Sequence, residues 1–124
     1  IPLGGPSRAR GAIQRAEADR DSAALELQLL QREAHAELDQ LQASVQSAAQ
    51  RRSDYEGLQS DAARKAVEGI ELAYRRGAAS LTDLLDARRS WREFEAALID
   101  ARADHAIALA RWEAATSVAE GESR

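Results

Sequence analysis

Cysteine is absent from the 124 residues, which removes disulfides, thiolate catalysis and cysteine-based zinc sites together. Proline occurs only at Pro2 and Pro6, so nothing from residue 7 onward carries a helix-breaking ring. Aromatic residues make up 4% of the chain, too few to anchor a thick globular core. No apolar run approaches the roughly 18 residues of a membrane-spanning helix. There is no charged segment leading into an apolar one that would read as a signal peptide. Basic and acidic residues, 17 against 21, are interspersed, which leaves no basic patch for nucleic acid. What remains is abundant Ala, with Leu, Gln, Glu and Arg, a composition that makes long helices. Such a chain buries a narrow seam of Ala and Leu between helices, and that argues against a sheet-based enzyme. A start at Ile1 instead of Met reads as a fragment or a processed product.

The opening residues 1–7 read as an extended lead-in, because Pro2 and the Gly4–Gly5–Pro6 run oppose a helix. A helix is expected from residue 8 to 76, a rod of roughly 100 Å if unbroken. Gly57 and Gly69 each cost about 1 kcal/mol against Ala without having to end it. One heptad row runs Leu27, Ala34, Leu41, Ala48, Tyr55, Ala62, and its companion Leu38, Val45, Arg52, Gln59, Ala66, Ala73. Arg52 and Gln59 interrupt the second row.

At AYRRGAASLTD the pattern changes. Arg75 and Arg76 suit the negative end of a helix dipole, and Gly77 suits the left-handed residue that closes a helix. Ser80 and Asp83 have the spacing of a capping box, and Leu81, Leu84 and Leu85 begin the next apolar stripe. The tip is thus 77–80 and the second helix 81–117, with 118–124 a frayed tail. Its rows are Leu84, Trp91, Leu98, His105, Trp112 and Ala87, Phe94, Ala101, Ala108, Ala115. So short a connection makes the helices antiparallel neighbours. The expected fold is all-α: a long antiparallel coiled-coil hairpin with one long and one short arm. The longer arm then carries Leu25, Leu27, Leu29 and Leu30 beyond the reach of the shorter one, which calls for a partner outside this hairpin.

His35 and His105 are the only histidines, and neither has the spacing of a metal site. The bland account of His105 is a polar interruption of the seam. Asp83 and Asp86, three apart at the start of the second helix, admit two readings. One is compensation of the helix dipole; the other is an acidic constriction, formed if several hairpins ring an axis and latched by Tyr74 or Arg. No catalytic group and no cofactor is expected.

The stretch from Tyr74 resembles the signature of the TolC-like outer membrane efflux proteins, in which Y-x-x-G-x-x-S/T-x-x-D-x-L-D-A marks the tip of the second periplasmic hairpin. Tyr74, Gly77, Ser80, Asp83, Leu85, Asp86 and Ala87 meet it. The Ala-rich continuation, from Ala101 through Asp104 to Ala108 and Ala110, is also similar. So is IPL before GAIQRAEA, which resembles a barrel strand entering the long helix. The resemblance implies about a quarter to a third of one subunit of a homotrimeric channel, the second hairpin of an α-helical barrel below an outer-membrane β-barrel. It implies a passive exit duct served by a periplasmic adaptor and an inner-membrane pump. Tyr74, Arg75, Arg76, Asp83 and Asp86 would stand at the tip, where the channel is gated and the adaptor docks. An Arg that some relatives place two residues after the tip Gly is Ala79 here. GAIQRAEA and LDARRS look most like the cobalt–zinc–cadmium resistance branch. The competing readings are the helical hairpin of an adaptor and a generic coiled-coil scaffold. In isolation, hairpins of this kind are expected to pair into a helical bundle.

Overall fold

The computed structural model describes residues 5–121. The elements are α1 (Gly5–Asp54), a π-turn (Tyr55–Gln59), α2 (Ser60–Arg75) and α3 (Leu81–Gly121). No strand occurs among the described residues. Where the sequence suggested a lead-in through residue 7, α1 already begins at Gly5. Pro6 then falls in the first turn, where a missing N–H costs nothing and φ is preset for a helix. Residues 1–4, including the IPL stretch, lie outside the described residues, as do 122–124. At the other end α3 continues through Val118 to Gly121, beyond the expected limit at 117. No proline or strong cap stands in that stretch to stop it.

The chain divides into two compact units, residues 1–39 and 40–124. In the first, the described residues are a single stretch of α1 with nearly every side chain exposed. His35 lies there, exposed, with Nδ1 2.6 Å from the carbonyl oxygen of Gln31 one turn back.

The second unit is an antiparallel hairpin. The end of α1, the π-turn and α2 form one arm, and α3 forms the other. Cross-arm pairs fix the direction: Arg51 meets Asp104, Glu56 meets Arg102 and Glu71 meets Arg88. As one partner's number rises the other's falls. Among the described residues only Ala48, Leu84 and Ala101 are buried, so the core is a seam and not a centre. Around it lie half-buried Leu41, Val45, Trp91, Phe94 and Leu98. Phe94 packs between two rings, with centroids 5.7 Å from Tyr55 and 5.8 Å from Trp91.

All ten positions of the two α3 rows are buried or half-buried. In the facing arm the expected rows hold for Leu41, Val45, Ala48, Arg52 and Tyr55, shift after the π-turn, and meet the expectation again at half-buried Ala73; Leu38, in the first unit, is half-buried too. The next shielded positions are Ser60, Ala63, Val67 and Ile70, in place of Gln59, Ala62 and Ala66, which are exposed. The unbroken helix from 8 to 76 is therefore corrected. A π-turn uses one residue more than an α-turn, and Gly57 within it leaves helical geometry at φ −92°, ψ −123°. That one residue moves the seam from Ala62 and Ala66 to Ala63 and Val67.

Candidate functional site

The tip is built from two closing motifs placed back to back. At the end of α2, Gly77 takes φ +74°, a conformation that side chains with a Cβ resist. The Gly77 N–H donates to the Tyr74 carbonyl at 3.0 Å and the Ala78 N–H donates to the Ala73 carbonyl at 2.8 Å. This pair of bonds is the Schellman closure, which satisfies carbonyls that the helix end would leave open. Three residues later Ser80 opens α3. Its Oγ accepts from the Asp83 N–H at 3.1 Å, while Asp83 Oδ2 accepts from the Ser80 N–H at 2.9 Å and from the Ser80 hydroxyl at 2.7 Å. The capping box is complete. The Ser80 hydroxyl, and then its backbone N–H, hold the Asp83 carboxyl below its ordinary pKa by bonding the ionised form.

The structure thus separates the two aspartates. Asp83 is exposed but engaged by the cap. Asp86 is exposed and has a single ion-pair partner, Arg89, at a loose 3.8 Å on its own helix. Arg75 and Arg76 are exposed, and among the described residues neither makes an ion pair. Tyr74 is 40% exposed. Tyr74, Arg75, Arg76 and Asp86 therefore offer their polar groups to solvent within one small turn region, while Gly77, Ser80 and Asp83 hold its shape.

A second polar cluster lies at the π-turn. Glu56 Oε1 accepts from Arg102 Nε across the hairpin at 2.7 Å, and both its oxygens accept from Arg52 Nε at 3.1 Å. Arg102, and then Arg52, hold the Glu56 carboxyl below its ordinary pKa against the opposing effect of desolvation. Arg52 Nη1 also lies 3.4 Å from His105 Nδ1, a long contact in which a neutral imidazole accepts. The two polar interruptions of the seam, one in each arm, therefore face each other. Sequence reasoning marked both and missed Glu56, which shares no row with them; the one signal was the polar pair itself. Among the described residues no group of His, Asp and Glu is placed to hold a metal ion, and no helix is long and apolar enough to cross a membrane.

The described residues define an all-α antiparallel hairpin whose charged tip is closed by hydrogen bonds at both helix ends. The family model described as outer membrane efflux protein matches residues 1–117, and the chain belongs to that family. It is a family of transport channels of the outer membrane, whose members work as trimers in tripartite efflux assemblies. Neither the curated proteins nor the solved structures contain a match.

Proposed function

We propose that this chain is a periplasmic hairpin of a passive exit duct, whose tip docks a periplasmic adaptor and takes part in gating. The carrying observation is the match of the efflux family over residues 1–117, joined to a tip whose turn is locked while Tyr74, Arg75, Arg76 and Asp86 stay exposed. A docking or gating surface needs both features: a fixed backbone, so that binding does not spend energy on ordering it, and charges not already satisfied. In the homotrimer, Asp86 from each subunit supplies the acidic part of the constriction. Arg75 and Arg76 supply cations that latch it or meet the adaptor. Asp83 serves the tip as a positioning residue, through Ser80. An inner-membrane pump drives the cargo, and the motif's likeness to the cobalt–zinc–cadmium branch favours metal ions as that cargo. A duct of this kind has no need of tight metal ligands.

The test is single-channel conductance of the full-length trimer in planar bilayers. Asp86→Ala is expected to raise conductance, with a smaller effect for Asp83→Asn. Conductance unchanged by Asp86→Ala would return that residue to helix-dipole compensation. For docking, Arg76→Glu is expected to reduce crosslinking of the channel to its adaptor. Undiminished crosslinking would remove the arginines from the contact.

A further inference from the structure

The shielded positions of the first arm run Val45, Ala48, Arg52, Tyr55 and then Ser60, Ala63, Val67, Ile70. Along that stripe the spacing is three or four except across the π-turn, where it is five; Ala49, Glu71 and Ala73 are half-buried beside it, and Ala73 belongs to the row that an uninterrupted helix would present. Drawn as an uninterrupted α-helix, the same arm would instead present Gln59, Ala62, Ala66 and Gly69. The structure packs the first stripe against α3, and the second has the same heptad spacing. One brings bulk in Val67 and Ile70; the other brings small residues that allow a closer approach.

Each arrangement has an apolar gain and an apolar cost. In the observed one Val67 lines a groove with Leu85 and Trp91, and Ile70 is half-buried. Its cost is Leu58, which the π-turn leaves 88% exposed, the most exposed of the large hydrophobic residues described. In an unbroken heptad Leu58 would flank the seam beside Gln59. Two ion pairs hold the π-turn. Glu56 lies inside it and is clasped from the preceding turn by Arg52 and from the opposite arm by Arg102.

We propose that the Tyr55–Gln59 turn is a register switch: released from the Glu56 clasp it closes to α-geometry, and α2 turns to exchange its Val67 stripe for its Ala66 stripe. One residue of an α-helix corresponds to a turn of about 100° and a rise of about 1.5 Å. Since α2 carries Tyr74 and Arg75 and leads directly into Arg76, that rotation re-aims the tip cations, while the bonds that close α2 and those that cap α3 each stay within their own helix end. Two discrete packings of one seam make the element bistable and not continuously deformable. The proposal stands apart from the docking and gating roles of individual tip residues, and holds or fails on the register alone.

Thiol labelling of single-cysteine variants in a cysteine-free background of the full-length protein tests it; the 124 residues here contribute no cysteine. With the parent π-turn, Val67→Cys is expected to react several-fold more slowly than Ala66→Cys. Deleting Gly57 removes the extra residue, so an unbroken α-helix then carries Ser60, Ala63, Val67 and Ile70 in the seam, and Val67→Cys is expected to remain the slower of the two in that background. Glu56→Gln is expected to draw the two rates together by populating both registers. A reversed order in the Gly57 deletion would overturn the proposal. If the deletion variant fails to fold, an unchanged ratio of rates in Glu56→Gln overturns it as well. The pair Gly69→Cys and Ile70→Cys repeats the comparison one turn on, which separates a register change from local damage at Val67.

Discussion

At Gly77 the backbone lies at φ +74° with no atom within 4 Å of the place a Cβ would occupy, so conformation and not space forbids a side chain there. Gly77→Ala is therefore expected to cost about 1 kcal/mol in urea unfolding, the left-handed penalty of a Cβ, with Asn less costly because its side chain tolerates that region. Two carboxylates add a pH dependence whose sign follows from their partners. Asp83 and Glu56 both have folded-state pKa values below their ordinary 3.8 and 4.5, from the Ser80 and the Arg102 and Arg52 bonds respectively. The unfolded chain then takes up protons first as pH falls. The stability these groups supply is complete above the ordinary values and is lost as pH drops through the depressed ones. Urea midpoints measured between pH 6 and pH 2 are expected to fall below about pH 4.5 in the parent. They should fall less steeply in Asp83→Asn and in Glu56→Gln; equal slopes would mean that these bonds do not persist in solution.

Helix α3 shows how far a heptad pattern carries. Its large residues, Leu84, Trp91, Leu98 and Trp112, alternate with Ala87, Ala101, Ala108 and Ala115 at the coiled-coil period, and the structure shields every one. Periodicity fixes a face when nothing interrupts the helix. The tip was equally legible, since Gly77 and the Ser80–Asp83 spacing each have a local physical cause. The π-turn was not. A π-turn has no sequence signature of comparable strength, and Gly57 alone costs too little to end a helix. The bulk of Val67 and Ile70 beside the empty Ala66 and Gly69 was the only sign that the seam had moved by one. Of the candidate tip residues, sequence supplied the positions but not the division of labour between Asp83 and Asp86, which depends on hydrogen-bond geometry. The tightest point of the seam gives a test at this scale. Ala101 is 2% exposed, so Ala101→Leu overpacks the hairpin and is expected to cost about 1–3 kcal/mol in thermal or urea unfolding. Ala103→Leu, at an exposed site on the same helix, should be close to neutral.

For the molecule as a whole, the uneven distribution of shielding decides what must be supplied from outside. Residues 5–39 contain no buried residue and only Gly11 and Leu38 are half-buried, while Leu25, Leu27, Leu29 and Leu30 are 56–62% exposed. Isolated exposed leucines need no explanation, but four within six residues of a helix do. An outer membrane efflux protein in its trimer has helices available to cover them. On that reading these leucines contribute nothing to the stability of the chain alone and a good deal to assembly, because each covered side chain gains about 1.5–3 kcal/mol on leaving water. The double variant Leu27→Ser, Leu30→Ser is accordingly expected to leave the urea midpoint of this segment unchanged while reducing the trimer fraction of the full-length protein in native mass spectrometry. A loss of segment stability with the trimer intact would reverse the assignment, making the leucines an internal part of the fold and leaving the assembly to the hairpin unit.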